Sequence, residues 1–168
     1  VFFASPLETE HIDRVRRAFP SLRLLVPSDL WPSVRYVADH AGEPVEHSPE
    51  EEARWFGMMA QAEVFFDFDR LHLRDIARLS PRLRWIQSTS AGIIHYMESS
   101  RVHEAGIVVT TASGVHAVPL AEWAALAVLW HEKMGPHLAA LKSARDWDRF
   151  CGGEALGKTA LVLGYGAV

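Results

Sequence analysis

Residues 156–168 read Leu156-Gly157-Lys158-Thr159-Ala160-Leu161-Val162-Leu163-Gly164-Tyr165-Gly166-Ala167-Val168. The apolar run from Lys158 to Leu163 predicts a buried strand. Gly164 and Gly166 follow at once, and two glycines at this spacing predict a tight turn out of the strand. A buried strand that opens onto a glycine turn is typical of the βα units of parallel sheets, so this segment indicates an α/β protein.

The same alternation of strand and helix patterns runs through the preceding residues. Short runs rich in β-branched and aromatic residues predict strands at Val1–Ala4, Leu22–Val26, Pro44–His47, Val64–Phe66, Leu83–Gln87 and Ile107–Thr111. Segments with apolar residues at helical spacing predict helices at Glu8–Phe19, Ser33–His40, Pro49–Ala60 and Arg70–Leu79. Strands that alternate with crossover helices predict a parallel sheet covered on both faces.

The alternation of short strand and helix patterns ends after residue 111. Ser113-Gly114-Val115-His116 predicts a turn, and Pro119 suits the first turn of a helix that extends to about Arg145. Such a helix is about twice the usual length, and its position between two strand–helix systems predicts a connector between domains. Its most apolar part, Val118–Trp130, is too short and too close to charged residues to span a bilayer, so we expect a buried helix.

The overall composition narrows the classes of partner and location. A formal net charge of −4 gives no basic field over the chain, so we expect neither nucleic acid nor a membrane surface as a partner. Cys151 is the only cysteine, which excludes an intramolecular disulfide and fits a reducing compartment. The apolar start Val1–Ala4 is too short for a signal-peptide core, so a cytoplasmic location is expected.

Two loops carry the candidate chemistry. Gly164-Tyr165-Gly166 is the first half of G-x-G-x-x-G, in which glycines let the backbone turn tightly and approach the pyrophosphate of a dinucleotide. Many strand-to-helix turns also carry two glycines. Ser88-Thr89-Ser90-Ala91-Gly92 follows a predicted strand, and its backbone N–H groups could hold a carboxylate at the carboxyl edge of the sheet. A plain turn at Gly92 is an equally good alternative.

Other chemistry is disfavoured by the residue patterns. Ser90-Ala91-Gly92 matches the end of the G-x-S-x-G nucleophile motif, but Ser88 stands where that motif needs glycine. A group of metal-ligand residue types lies between a predicted strand and helix, where acidic residues are more typical of helix caps: Asp67, Asp69 and His72. We therefore expect no metal site. The tryptophans whose spacing predicts a core or a subunit interface are Trp123, Trp130 and Trp147.

Three segments together resemble the D-isomer-specific 2-hydroxyacid dehydrogenase family. They are Pro81-Arg82-Leu83-Arg84-Trp85-Ile86-Gln87-Ser88-Thr89-Ser90-Ala91-Gly92, then Gly106-Ile107-Val108-Val109-Thr110-Thr111-Ala112-Ser113-Gly114-Val115-His116-Ala117 with Leu120-Ala121-Glu122, and Leu156-Gly157-Lys158 leading to Gly164-Tyr165-Gly166. Their order and spacing match the family over about residues 80–168. The resemblance implies a flavodoxin-like substrate domain at residues 1–115, followed at residues 116–168 by a linker helix and the first strand of a Rossmann domain, broken off inside its fingerprint.

The resemblance also implies roles for individual residues. The backbone amides of Ala91 and Gly92 would hold the substrate carboxylate. Gly164 and Gly166 would begin the pyrophosphate loop for NAD or NADP, and Trp123 would lie close to that cofactor. The family's catalytic arginine, glutamate and histidine all follow the glycine fingerprint, so none of them falls within residues 1–168, and we expect this chain to be inactive alone.

The function implied is hydride transfer between a nicotinamide cofactor and a 2-keto or 2-hydroxy acid. The family is usually homodimeric, and its long helix contributes to the interface. One departure from the family pattern is Ile93-Ile94, because an aspartate is common there and affects the helix cap and the shape of the loop. The alternative, from a different class, is a non-catalytic ligand-binding or dimerisation module with a flavodoxin-like fold.

Overall fold

A four-stranded parallel sheet lies within residues 1–112 of the computed structural model, which describes all 168 residues of the chain. The strands lie side by side in the order β1 Phe2–Phe3, β2 Val64–Phe66, β3 Trp85–Gln87 and β4 Val108–Thr110. A parallel bridge from Phe2 to Leu25 extends the sheet beyond β1. The strand order is therefore flavodoxin-like, except that the strand expected next in sequence after β1 is reduced to the single bridge at Leu25. The predicted α/β fold is confirmed.

The chain contains six α-helices. They are α1 Thr9–Ala18, α2 Pro49–Gln61, α3 Ile76–Leu79, α4 Ile94–Ser100, α5 Ala117–Glu132 and α6 Gly135–Ala144. The start of α2 follows from local sequence, because Ser48 and Glu51 form a reciprocal capping box and Pro49 occupies the first turn. The predictions of α1 and α2 are confirmed to within one or two residues at each end.

The core lies on one face of the sheet. Phe2, Phe65 and Ile86 are in register on neighbouring strands and are fully buried. Trp55 of α2 packs against Phe2 edge to face, with ring centroids 4.9 Å apart. The opposite face is more open, since Trp85 is 40% exposed. Alternating side chains of β3 thus divide between a closed face and a more open one, whereas both residues of β1 are buried.

Three predicted elements near the start of the chain are wrong or reduced. Leu22–Val26 contributes only the bridge at Leu25, and Pro44–His47 forms no strand. Ser33–His40 forms turns instead of a helix. The reason is the buried carboxylate of Asp39, which accepts hydrogen bonds from backbone N–H groups before and after it and so competes with helical bonding.

Two further segments differ from the helix pattern. The predicted helix Arg70–Leu79 is shortened to a 3-10 turn at Leu73–Asp75 followed by α3. The helix α4, which the sequence patterns did not predict, begins at Ile94 without any side-chain cap. Short helices of this kind depend on tertiary packing, because so few residues give little intrinsic stability.

Residues 113–168 form a second compact unit. The predicted continuous helix from Pro119 to Arg145 is wrong, because the chain breaks between α5 and α6. Met134 has a left-handed backbone with φ 54°, and Pro136 lacks the N–H that a continuing helix would need. A Cβ at Gly135 would overlap the indole of Trp130, so the turn between the helices is closely packed.

The apolar segments of this second unit are exposed, contrary to the predictions. The strand expected at Lys158–Leu163 is absent, and Leu163 is 89% exposed. The helix α5, expected to be buried, is exposed along nearly all of its length. A strand needs a neighbouring strand and an apolar helix needs an opposing surface, and residues 113–168 supply neither. None of the helices has the length and apolar character needed to cross a membrane.

Candidate functional site

The loops that follow the parallel strands emerge at one edge of the sheet. Doubly wound sheets bind ligands outside this carboxyl edge, which makes it the first place to examine for a site. The segment after β2 is Asp67–His72, and the segment after β3 is Ser88–Ile93. Both candidate groups of residues from the sequence analysis, the metal-ligand types and the small-residue loop, therefore lie at this edge.

Asp67 fixes the start of the loop after β3. Its buried carboxylate accepts hydrogen bonds from the backbone N–H of Thr89 at 3.3 Å and from the Thr89 hydroxyl at 2.9 Å. Nη2 of Arg70 donates to the same carboxylate at 3.1 Å. The backbone φ of Asp67 is 65°, which is uncommon for a residue other than glycine and persists only where surrounding contacts enforce it.

Ala91 and Gly92 lie at the exposed tip of that loop. A Cβ added to Gly92 would meet no atom within 4 Å, so a ligand could approach the backbone closely. The loop is tied to the segment after β4 by the N–H of Ala112, which donates to the Ser90 carbonyl at 3.1 Å. Ile93 precedes α4 and offers no side-chain cap. The amides are thus accessible on a loop that is anchored at its start, through Thr89 and Ser90.

A second buried carboxylate, Asp69, organises the loop after β2. It accepts hydrogen bonds from Nε1 of Trp55 at 3.1 Å and from Nδ1 of His72 at 2.9 Å. The other ring nitrogen of His72 lies 3.3 Å from a Glu52 carboxylate oxygen. The hydrogen bond with Asp69 raises the pKa of His72, against the opposing effect of burial. The imidazolium is therefore favoured, and it links α2 to the loop.

The alternative chemistries find little support in this geometry. Asp69 and His72 contact each other, whereas Asp67 turns to Thr89 and Arg70, and no three metal-ligand side chains form a group. The backbone N–H of Ser90 donates to Ser88 Oγ at 3.1 Å, and no histidine is hydrogen-bonded to the Ser90 hydroxyl. A serine nucleophile needs such a base.

The residues expected to bind the cofactor all lie in the second unit. Gly164 has φ 95°, which favours glycine, and a Cβ at Gly164 or Gly166 would meet no atom within 4 Å. This open backbone fits the approach of a pyrophosphate. The preceding residues 158–163 form no strand, so the strand–turn–helix frame of a dinucleotide site is not present in this segment. Trp123 lies on α5 and is 66% exposed.

The geometry thus defines an α/β protein with a flavodoxin-like sheet and an anchored loop at its carboxyl edge. No family model and no curated protein matches the chain. Solved structures do match it. The fold is similar to that of D-lactate dehydrogenase from Aquifex aeolicus in complex with NAD and lactic acid, with a TM-score of 0.55 and 17% identity over 89% of this chain and 38% of that one.

Two other solved structures are similar at lower TM-scores. Phosphoglycerate dehydrogenase from Lactobacillus plantarum gives 0.42 with 24% identity, over 91% of this chain and 42% of that one. The TT0316 protein from Thermus thermophilus gives 0.49 with 18% identity, over 89% and 42%. The chain spans about two fifths of the length of these proteins. The match with D-lactate dehydrogenase confirms, at the level of fold, the resemblance that the sequence motifs indicated.

Sequence patterns missed the part that Asp67 and Arg70 have in this site. The sequence patterns indicate a helix cap or a metal ligand at Asp67, and the start of a helix at Arg70. The available signal is an acidic residue directly after a buried strand with arginine three residues later, a spacing that allows a short-range ion pair. The link from Asp67 to Thr89 has no sequence signal, since it joins residues 22 positions apart.

Proposed function

We propose that this chain is the substrate-binding part of an NAD(P)-dependent 2-hydroxyacid dehydrogenase, which transfers hydride between a nicotinamide cofactor and a 2-keto or 2-hydroxy acid. The observation that carries the proposal is the fold shared with D-lactate dehydrogenase over 89% of the chain. In this proposal residues 1–115 form the substrate domain, and residues 116–168 hold the linker and the start of the cofactor domain.

The loop at Ala91 and Gly92 would bind the substrate carboxylate through its backbone amides. Backbone N–H groups in an irregular turn can hold an anion without a positive side chain. Their effect depends on preorganisation, because donors that are already in place need no rearrangement when the ligand arrives. Asp67 supports this role, since its bonds to Thr89 hold the start of the loop.

NAD or NADP would supply the hydride. Gly164 and Gly166 are the residues of this chain that would contact the pyrophosphate, and Trp123 would lie near the cofactor. The chain contributes binding and orientation in this proposal, and the proton at the substrate oxygen comes from an acid–base group outside residues 1–168. The isolated chain is therefore expected to bind without turning over.

We also propose that the protein forms a homodimer through α5. The helix carries apolar side chains on all sides, interrupted by Glu122, and its large side chains are exposed, including Leu126 and Leu129 at about half of their surface. Helices that are apolar on all sides are usually buried in native proteins, and large exposed apolar patches mark interaction surfaces. A second copy of the same helix offers a matching apolar surface. A cytoplasmic location of the protein stays a prediction.

The test measures turnover by the natural protein that contains this chain. The intact mass of that protein is first compared with the mass that its coding sequence predicts. Purified protein is mixed with a panel of 2-keto acids, and the absorbance of NADH and NADPH is followed. We expect reduction of at least one keto acid with one of the two cofactors. If the intact protein reduces none and binds neither cofactor, the enzyme proposal is wrong, and a non-catalytic binding module takes its place.

A matched pair of variants tests the loop itself. Gly92→Ala places a methyl group beside the amides of the loop. The control, Gly57→Ala, adds a methyl group on α2 instead, and both positions have open space around the added Cβ. We expect Gly92→Ala to raise the KM for the keto acid by about tenfold with little change in cofactor affinity. Gly57→Ala should leave both unchanged. Equal KM values for the two variants would contradict the role of the loop.

A further inference from the structure

The loop with Ala91 and Gly92 is anchored at its start, but its far end leads into a helix with little stability of its own. The helix α4 has seven residues and begins at Ile94 without a side-chain cap. A helix of this length depends on tertiary packing for its stability. Contacts that hold the first turn of α4 therefore also fix the place where the loop ends.

Tyr96, in the first turn of α4, makes such contacts. Its ring stacks on the buried ring of Phe68, with the ring centroids 5.1 Å apart and the ring planes at 18°. The guanidinium carbon of Arg70 lies 5.5 Å from the centroid of the same tyrosine ring. Stacked aromatic rings attract each other, and so do a cation and an aromatic ring. Two residues of the segment after β2 thus hold Tyr96.

Arg70 also belongs to the anchor at the start of the loop. Its Nη2 donates to Oδ2 of Asp67 at 3.1 Å, and the same oxygen accepts the Thr89 hydroxyl at 2.9 Å. The Asp67 side chain is buried and that of Arg70 is half-buried, so water screens their interaction less than it would on the surface. One guanidinium therefore contacts both the anchor before the amides and the tyrosine after them.

Arginine is suited to this double contact. A planar guanidinium can donate hydrogen bonds along its edge while an aromatic ring packs on its face, whereas the compact ammonium of lysine has no flat face. The Nε–H of Arg70 is buried and has no hydrogen-bond partner. A buried donor without a partner is unfavourable, so the contacts with Asp67 and Tyr96 hold the side chain in place against that penalty.

We propose that Arg70 is a positioning residue for this loop, because it ties the anchor at the start of the loop to Tyr96 beyond its end. With both ends held, the N–H groups of Ala91 and Gly92 keep one orientation. Donors that are already ordered bind an anion more tightly than mobile ones, since less conformational freedom is lost on binding. The effect of Arg70 on loop order concerns this chain alone, whereas its effect on the affinity for a keto acid rests on the proposed function.

The first experiment measures the order of the loop in the isotope-labelled 168-residue chain. Nitrogen-15 relaxation gives order parameters for the backbone N–H groups of Ala91 and Gly92, and a value of about 0.85 is typical of rigid backbone. We expect about 0.8 in the unaltered chain. The value should fall to about 0.6 or lower, as in flexible backbone, in Arg70→Gln and in Tyr96→Leu, because each variant releases the far end of the loop.

Two controls separate positioning from folding. Arg78→Gln removes an arginine that pairs with Asp75 at the same three-residue spacing but on the exposed surface, and it should leave the order parameters unchanged. Tyr96→Phe keeps the ring that Phe68 and Arg70 contact, so it should retain most of the loop order that Tyr96→Leu loses. Urea denaturation checks that each variant is folded. Arg70→Gln and Tyr96→Leu test the same link separately, so either one suffices if the other unfolds.

The second experiment measures the kinetics of the natural protein that contains this chain. Arg70→Gln should raise the KM for the keto acid by about tenfold and leave kcat nearly unchanged, because the loop holds the carboxylate in the bound substrate and in the transition state alike. Arg70→Lys keeps a charge beside Asp67 and Tyr96 and should recover part of the affinity. General destabilisation would instead lower the amount of active protein without raising the KM.

Three results would overturn the proposal. They are unchanged order parameters of Ala91 and Gly92 in the folded Arg70 and Tyr96 variants, an equal loss of order in Tyr96→Phe and Tyr96→Leu, and an unchanged KM in Arg70→Gln. If the unaltered natural protein reduces no keto acid, the proposed function is wrong, but the relaxation measurements still decide whether Arg70 orders the loop.

Discussion

Residues 1–112 and residues 113–168 are both rich in apolar side chains, yet only the first region forms a core. In the first region Trp55 is 1% exposed, enclosed between the sheet and the helices. In the second, Trp123 is 66% exposed and Gly135 is the only buried residue. Apolar composition alone does not bury a side chain, because a core needs two surfaces that face each other. The sheet supplies one in the first region, and the second has only helices and irregular chain.

The largest effect in this comparison is expected from a pair of tryptophan substitutions. Trp55→Ala should lower the free energy of unfolding by about 3–5 kcal/mol, because it opens a cavity in the core and removes the indole N–H that donates to the buried Asp69. Trp123→Ala should change it by less than about 0.5 kcal/mol, as for exposed sites. Urea denaturation of the 168-residue chain, followed by circular dichroism at low protein concentration, measures both.

The same pair of variants also tests whether α5 is exposed in solution. If Trp123→Ala proves as destabilising as Trp55→Ala, α5 is covered in solution, and its cost should then rise with protein concentration as self-association demands. Sedimentation of the unaltered chain and of Leu129→Glu distinguishes a dimer through α5 from burial within one chain. Loss of association in Leu129→Glu is the expected result.

The second effect concerns the ion pair between the buried Asp67 and the half-buried Arg70 in the first region. Asp67→Ala should cost about 3 kcal/mol, since it leaves Arg70 unpaired and removes both bonds to Thr89. Asp67→Asn should cost about 1 kcal/mol less, because asparagine tolerates a left-handed backbone and can still accept. The control is Asp75→Ala, which breaks an exposed pair with Arg78 at the same spacing and should cost about 0–1 kcal/mol. Equal midpoints for the two alanine variants would contradict a structural role for Asp67.

A smaller effect comes from helix caps. Ser48→Ala removes the capping box of α2 and should cost about 1 kcal/mol. The corresponding position of α5, His116, makes no side-chain cap. His116→Ser should therefore raise helicity or leave it unchanged, measured by circular dichroism. A loss of helicity in His116→Ser would mean that His116 contributes to the start of α5 in solution.

The smallest effect is a pH dependence. The Asp69 hydrogen bond raises the folded pKa of His72, so the protonated ring stabilises the fold. This contribution is complete below the unfolded pKa of about 6.5 and is lost as the pH rises through the folded pKa. The urea midpoint of the unaltered chain should exceed that of His72→Gln most at about pH 6, and the difference should shrink towards pH 9. His131→Gln, at an exposed position of the second region, is the control. A constant difference would contradict the linkage.

Local patterns predicted the elements whose causes are local. Val64–Phe66 is recovered residue for residue, because a short apolar run between polar segments suits a covered parallel strand. The start of α2 follows from Ser48-Pro49 and the acidic residues after it. The failure at Ser33–His40 has a cause that apolar spacing does not record. The segment carries a helical pattern, but the Asp39 carboxylate accepts hydrogen bonds from the backbone N–H groups of Arg35, Ala41 and Gly42.

The sequence patterns likewise predict only part of the candidate site. The loop ending at Ala91 and Gly92 was visible as small residues after a strand, and the structure places it at the carboxyl edge. Its anchor was not visible, since Asp67 and Thr89 meet only when β2 and β3 pair. The break before Gly135-Pro136 did have a local signal, which the apolar spacing of the surrounding residues obscured.

The sequence alone determined that this protein alternates strands and helices, where α1 and α2 begin, and which loop follows β3. These follow from side-chain periodicity, capping and turn chemistry, all of which act over a few residues. Only the tertiary structure decided the strand order, the reduction of the second strand to Leu25, the anchoring of the loop by Asp67 and the exposure of α5. Each of these depends on which surfaces meet across long separations in the chain, and burial is a property of pairs of surfaces that no single segment carries.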